Sequence, residues 1–198
     1  MTAPTTPSID RIARTEGLAP ALRLLLAPEG GRVRTPSGYA VLPEDGVGDG
    51  ATVRRRYELP GGAVLLVHDS HVAGDDAGID QLALVRLRLG LAEGLRDACL
   101  TYLSTRPSGD GTVLAHQMVK GQLAELFSHQ LEVGALLDSG PACPGPAVLS
   151  HLHAEVTATS RALLRLFGAY SFLDSGPGAT AHVSELVADV YLCAGGPR

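Results

Sequence analysis

The sequence predicts a mainly α protein, an antiparallel four-helix bundle preceded by a short β-containing N-terminal region. Apolar residues make up 45% of the chain and aromatic residues only 4%, with no Trp, which indicates a core of Leu, Val and Ala in packed helices. The chain also changes character near Gly78, from short pieces punctuated by Gly and Pro to long runs of helical periodicity. We therefore expect two parts, an N-terminal region of one helix plus short strands over residues 1–77 and a helical bundle over residues 78–198.

The first part begins with a predicted helix over Ser8–Leu26. Ser8 or Asp10 can cap it, and Pro20 is expected to break or kink it. The "EDGVGDG" stretch is expected to be a hairpin loop. The β-prone pieces between the turn signals predict three strands, roughly Gly38–Leu42, Thr52–Leu59 and Ala63–His68.

The second part contains four predicted helices. Thr180 or the residue before it is expected to cap the last of them. Because the connections between them are short, neighbouring helices are expected to run antiparallel. Apolar residues recur at the three-to-four spacing of one helix face in the first helix, as in Leu82, Val85, Leu89, Ala92 and Leu95. The predicted bounds are about Ile79–Thr105, Thr112–Leu137, Ala147–Leu166 and Thr180–Leu192.

Charge and cysteine content exclude several classes of function. The net charge is −5 with no long run of one sign, which argues against nucleic acid and gives no support for an anionic membrane surface. No apolar run reaches the roughly 18 residues of a transmembrane helix. The N-terminus lacks the pattern of a signal peptide, and three cysteines without CxxC spacing indicate a reducing compartment, so we expect a cytoplasmic protein.

Metal binding is not expected. The histidines of the predicted helices, among them His116, His129, His151 and His153, form no E-x-x-H or H-x-x-x-H pattern. The basic triplet Arg54–Arg56 on a predicted strand has two interpretations. It can form an exposed sheet edge, or it can meet a phosphate of a coenzyme or carrier-protein arm.

Several segments match one family pattern in order and spacing. "RLGLAEGLRDACLTYLSTR" is a long helix that leads to Arg106, Gln117 follows after a short loop, and "QLAEL" comes next. "LLRLFGAYSF" and "VSELVADVYLCAGG" follow in turn. Between Arg88 and Leu192 the sequence thus resembles the C-terminal helical domain of acyl-CoA dehydrogenases. It departs from that family at Gly109-Asp110, where the family has an aromatic-glycine pair, and at Arg165, where the family has glutamine.

The resemblance implies roles for four residues. Arg106 and Gln117 would bind the pyrophosphate of FAD, with Gly168 in the glycine turn also at the cofactor, because arginine donates bidentate charge-assisted hydrogen bonds and glutamine adds an amide donor. Asp80 would be the catalytic base that takes the α-proton of an acyl thioester. The simpler alternatives stay open, namely that Arg106 favours its helix C-terminus and that Asp80 is a helix N-cap.

The functional hypothesis follows from the resemblance. It implies an acyl-CoA dehydrogenase-like oxidoreductase, a subunit of a flavin-dependent complex that carries out α,β-dehydrogenation of an acyl thioester bound to coenzyme A or a carrier protein. Family members form oligomers through the bundle, which implies a homodimer or a heteromer with a longer acyl-CoA dehydrogenase homologue. The residues before the bundle would then be an abridged β-domain. The alternatives are a non-catalytic helical-bundle interaction protein that has lost flavin, or an enzyme that reuses the cleft for a redox-neutral step.

Overall fold

The computed structural model describes residues 8–27, 35, 37–48, 50–68, 79–141, 144–173 and 176–192. Two short helices come first, then a three-stranded sheet and four longer helices, which confirms the mainly α class and the β-containing region before the bundle. The helices are α1 (Ile9–Glu16), α2 (Leu18–Leu26), α3 (Gln81–Thr105), α4 (Gln117–Ser139), α5 (Pro146–Phe167) and α6 (Pro177–Tyr191). The strands are β1 (Tyr39–Pro43), β2 (Thr52–Leu59), β3 (Gly62–His68), and the two-residue pair β4 (Pro107–Ser108) and β5 (Gly111–Thr112).

The helix expected over Ser8–Leu26 is two helices, and the prediction of one helix was wrong. The break lies at Gly17, whose φ of 97° falls in the left-handed region, and not at Pro20. Pro20 is the third residue of α2, where a missing N–H loses no intrahelical hydrogen bond. A Cβ on Gly17 would lie 2.2 Å from the carbonyl oxygen of Pro60, so close contact with the sheet requires glycine at the break.

The sheet is antiparallel with strand order β1-β3-β2. All three predicted strands are present within about one residue of their expected bounds, but "EDGVGDG" is not a hairpin loop. Its Glu44–Gly46 portion is a 3₁₀ turn, Asp49 lies outside the described residues, and the segment leads from β1 to the far edge of the sheet. The apolar residues of β3 suit the central position, where the strand is mostly buried. Strand β2 carries Arg54–Arg56 and forms an exposed edge of the sheet.

The four helices of the bundle are confirmed, with two corrections to their starts. α4 begins at Gln117 rather than near Thr112, because the preceding residues form β5 and a 3₁₀ turn. α6 begins at Pro177, so the cap expected at Thr180 or the residue before it was wrong. Gly176 is the N-cap, and proline at the first helical position loses no hydrogen bond.

Helix α3 is the centre of the molecule and contacts all five other helices. Its face toward α1 carries Gly90 and Gly94, where a Cβ on Gly90 would lie 2.1 Å from the carbonyl oxygen of Asp10. The backbones of α1 and α3 therefore touch. Side chains from α1, α2, the sheet, α3 and α6 share one apolar core. The expected domain boundary at residues 77 and 78 lies outside the described residues, and a division of the chain there stays a prediction.

Tyr191 on α6 fixes the sheet to the bundle. Its side chain is fully buried, and its hydroxyl donates to the Val41 carbonyl at 2.7 Å and accepts from the Val41 N–H at 2.9 Å. Burial raises the pKa of the Tyr191 hydroxyl, so it stays protonated. No helix within the described ranges combines the length and apolarity that a membrane span requires.

Candidate functional site

The corner between α3 and α4 holds Arg106. The residue follows the last turn of α3, is exposed, and is anchored through its carbonyl, which accepts from the Val113 N–H at 2.9 Å. One guanidinium nitrogen, Nη1, donates to the hydroxyl of Tyr102 at 2.7 Å. The guanidinium carbon also lies 5.6 Å from the Tyr102 ring centroid. The side chain is thus oriented by Tyr102 while the rest of its fork faces solvent.

Gln117 is the first residue of α4 and is also exposed. The N-cap, His116, makes no side-chain hydrogen bond to the first turn of the helix. Its Nε2 instead lies 2.8 Å from the Ser108 hydroxyl oxygen. The amide groups of the first turn are therefore not capped by a side chain, and the positive end of the helix dipole stands beside Gln117.

An aromatic cluster joins this corner to the end of α5. The ring of Tyr102 stacks on Tyr170 with centroids 5.0 Å apart and planes at 15°, and it meets Phe167 at 5.3 Å. Gly168 follows Phe167 with a φ of 59°, which favours glycine, and its N–H donates to the Arg165 carbonyl. The three residues predicted to bind the cofactor, Arg106, Gln117 and Gly168, therefore lie in or next to turns at one end of the bundle.

A cavity of about 630 Å³ opens beside the aromatic cluster. Tyr102, Phe167 and Tyr170 form one wall, and Gly94 and Leu95 of α3 form another. Aromatic and apolar walls with polar groups at the rim are typical of sites for flat or aliphatic ligands. The cluster was not anticipated from the sequence because its three rings come from two helices and a 3₁₀ turn, with no shared motif.

Asp80 is the N-cap of α3. Its Oδ1 accepts from the N–H groups of Leu82 at 2.9 Å and Ala83 at 3.1 Å, and the residue is exposed. The 25 residues of α3 span about 37 Å at about 1.5 Å per residue, so Asp80 and Arg106 lie at opposite ends of the helix. The two residues therefore do not belong to one compact site within this chain. The catalytic role of Asp80 stays a prediction.

A buried arginine lies in the middle of the bundle and was not identified from the sequence. Arg88 is 1% exposed, and its hydrogen-bond partners among the described residues include no carboxylate. It donates to the Ser184 hydroxyl at 3.2 Å and the Thr157 hydroxyl at 2.7 Å, and it also bonds His153. Burial lowers the pKa of Arg88 to about 10, so the guanidinium stays charged at neutral pH.

His153 shares this interior position. Its Nδ1 lies 2.8 Å from Nη1 of Arg88, which makes Nδ1 the acceptor and places the proton on Nε2. Nε2 is buried and has no hydrogen-bond partner among the residues that the structure describes. Burial and, to a lesser degree, the charge of Arg88 lower the pKa of His153 to about 4. The ring is thus neutral near pH 7. The detectable signal was the helical spacing of Arg88 from Leu84 and Leu91, which places it among inward-facing leucines.

The remaining titratable candidates do not form a reactive centre. No group of three or more potential metal ligands occurs among the residues that the structure describes. Cys99 is fully buried, and burial raises the pKa of its thiol to about 11, so it is not a nucleophile at neutral pH. Cys143 and Cys193 lie outside the described residues.

Comparisons with known proteins give a fold. No protein-family model matches the chain, and no curated protein matches it. A solved structure of glutaryl-coenzyme A dehydrogenase in complex with glutaryl-CoA is similar at 14% identity and a TM-score of 0.51, over 76% of this chain and 42% of that chain. The chain therefore has an acyl-CoA dehydrogenase-like fold, as the sequence resemblance predicted, and it spans less than half the length of that enzyme.

Two further solved structures have lower TM-scores. FkbI, described for biosynthesis of the methoxymalonyl extender unit of a polyketide, matches at 14% identity over 80% of this chain and 49% of its own, with a TM-score of 0.49. Butyryl-CoA dehydrogenase from Megasphaera elsdenii matches at 13% identity over 83% of this chain and 49% of its own, with a TM-score of 0.48.

Proposed function

We propose that this chain is an acyl-CoA dehydrogenase-like subunit that binds the pyrophosphate of FAD at one end of its helical bundle. The complex it belongs to carries out α,β-dehydrogenation of an acyl thioester, with coenzyme A or a carrier protein as the thiol. Bound flavin supplies the hydride acceptor for that chemistry. The share of this chain is to hold the cofactor and complete an active site in an oligomer.

The observation that carries the proposal is the grouping of Arg106, Gln117 and Gly168 at one bundle end. The donor set suits a pyrophosphate, because it combines an exposed guanidinium, an amide side chain and an uncapped helix N-terminus. Tyr102 orients the guanidinium through the 2.7 Å hydrogen bond, and Gly168 leaves its turn free of a side chain. The acyl-CoA dehydrogenase-like fold gives this grouping its context.

The distance along α3 supports an oligomer. Asp80 and Arg106 are separated by the full length of the helix, so a proton-accepting Asp80 and a cofactor-binding Arg106 would serve two different active sites. Two such sites form when this chain pairs with a second subunit, either another copy or a longer homologue, and each site contains residues of both subunits. Asp80 then removes the α-proton in one site while Arg106 holds the cofactor of the other.

The test is the visible absorbance of the purified protein, alone and co-expressed with a longer acyl-CoA dehydrogenase homologue. Arg106→Ala and Gln117→Ala should reduce the flavin retained per subunit, because each removes a donor to the pyrophosphate. Arg11→Ala is the matched control, since Arg11 is an exposed arginine on α1, away from the corner. Flavin bands that appear only with the homologue support a shared site, and the absence of flavin from both preparations refutes the redox function.

A second function is favoured by the surface of α4. Four large apolar side chains of this helix are exposed, namely Met118, Phe127, Leu131 and Leu136. Phe127 and Leu131 are four residues apart and share one face of α4, and an exposed apolar face suits contact with another protein. A non-catalytic interaction protein would therefore form a stable oligomer, measured as molar mass by light scattering, and would carry no flavin in either preparation.

A further inference from the structure

Strand β2 (Thr52–Leu59) lies at an edge of the three-stranded sheet and pairs with β3 on one side only. Residues of an antiparallel pair alternate between those that exchange hydrogen bonds with the neighbouring strand and those that do not, so about half of the backbone groups of β2 point away from β3. No backbone hydrogen bond joins β2 to a described residue beyond this pairing. The outer side of β2 can therefore pair with a strand of another chain.

The side chains of this edge are exposed over most of its length. Residues 52–56 are all exposed, and the apolar side chain of Val53 is 50% exposed. The β-branched residues at the start of the strand, Thr52 and Val53, favour the extended backbone that strand pairing requires. The edge is thus accessible and already has the conformation of a strand.

Two of the three arginines on this edge have no carboxylate partner. Arg54 and Arg55 form no ion pair with any residue that the structure describes, and the guanidinium carbon of Arg55 lies 5.1 Å from the ring centroid of Tyr57. Arg56 differs, because it contacts both Glu44 and Glu58. The uncompensated positive charge of the edge is therefore that of Arg54 and Arg55.

The arginines decide which strand the edge can accept. If the β2 strands of two copies paired side by side, the arginine triplets would stand opposite one another, and like charges directly opposite destabilise a pair of strands. The shift in register between Val53 and Arg55 also places Arg54 in a bulge, which hinders pairing between copies. The same charges attract a strand that carries carboxylates.

We propose that the outer edge of β2 binds an extended acidic segment of a partner protein, which adds to the sheet as a further strand. The main chain of the segment pairs with the outward backbone groups of β2, and its carboxylates face Arg54 and Arg55. The main-chain hydrogen bonds supply affinity, and the charges supply selectivity.

The test is the fluorescence anisotropy of fluorescein-labelled peptides titrated with the full chain. The acidic peptide is Val-Lys-Thr-Glu-Glu-Glu-Val-Thr, which in antiparallel register places its glutamates opposite Arg54–Arg56 and its lysine opposite Glu58. It should bind saturably. The charge-reversed peptide, Val-Glu-Thr-Lys-Lys-Lys-Val-Thr, should bind about tenfold more weakly or less, although non-specific attraction to a chain of net charge −5 would favour it. Tighter binding of the charge-reversed peptide would refute the proposal.

Two measurements separate strand addition from attraction between charges alone. A peptide with the same side chains and a methyl group on every backbone nitrogen keeps its charges but donates no main-chain hydrogen bond, so it should not bind. Hydrogen exchange of the amides of residues 52–59 should slow when the unmethylated acidic peptide is bound. Equal binding of the methylated peptide, or unchanged exchange in β2, would show that no strand is added there.

Charge reversal locates the site. The double variant R54E/R55E should bind the acidic peptide about tenfold more weakly or less, because two attractive pairs become repulsive. R11E/K120E is the matched control, since it makes the same change of charge at two exposed residues of α1 and α4, and it should change affinity by about twofold or less. Absence of saturable binding to the unmodified chain, or equal losses in the two variants with far-UV circular dichroism unchanged, refutes the proposal.

Discussion

Replacing Gly90 by alanine tests the closest contact in the fold, where α1 lies on α3. In an open helix position this change stabilises by about 1 kcal/mol, because alanine has the higher helix propensity. At Gly90 the new Cβ would stand 2.1 Å from the Asp10 carbonyl oxygen and 2.8 Å from its Cα, both far inside contact distance. Because the obstacle is backbone, α1 must move away from α3 by roughly 1 Å or more, and such overpacking costs about 1–3 kcal/mol.

The expected result is therefore a change of sign between two identical substitutions. Gly90→Ala should lower the free energy of unfolding by up to about 2 kcal/mol, the overpacking cost less the gain in propensity. Gly121→Ala on α4 should raise it by up to about 1 kcal/mol, because a Cβ there meets nothing within 4 Å. Urea unfolding followed by circular dichroism measures both. Equal stabilisation by the two variants would show that α1 does not touch α3 at Gly90, and the packing argument would be wrong.

Two further predictions concern buried polar groups. Tyr191→Phe should lower the free energy of unfolding by about 1–3 kcal/mol, because the N–H and carbonyl of Val41 lose their partner. The control Tyr39→Phe, at the surface, should change the free energy of unfolding little. Equal effects of the two variants in urea unfolding would contradict the role of the Tyr191 hydroxyl. Folding lowers the pKa of His153 from 6.5 to about 4, so the unfolded chain binds the proton first as the pH falls. The free energy of unfolding should therefore decrease between pH 6.5 and pH 4, and the loss at pH 5 should be about 2 kcal/mol. His153→Asn keeps an acceptor for Arg88 and should reduce the difference in stability between pH 7 and pH 5, measured by thermal unfolding. An unchanged difference would show that another group is responsible for the pH dependence.

The sequence predicted those parts of the fold that depend on local pattern. The helix α3 and the strands β2 and β3 follow from periodicity and turn residues, and each has bounds within two residues of expectation. The break at Gly17 was missed because its cause is contact with Pro60, some 40 residues away in the chain, and Pro20 carried the stronger local signal. Strand order was missed for a similar reason, since it depends on which strand is buried.

The candidate sites divide in the same way. Arg106 and Gln117 could be identified because they flank one short loop, and their spacing is visible in the chain. The contact of Arg88 with His153 could not be identified, because the two residues lie 65 positions apart and come together only when α3 packs on α5.

The hydrogen bonds between Tyr191 and Val41 also constrain the order in which the chain can fold. They join residues 150 positions apart, and the apolar core around them contains side chains of α1, α2, the sheet, α3 and α6. During synthesis, the N-terminal helices and strands leave the ribosome long before α6 exists. Their apolar faces stay incompletely covered until Tyr191 has been added, so formation of the native core is delayed until nearly the whole described chain has been translated.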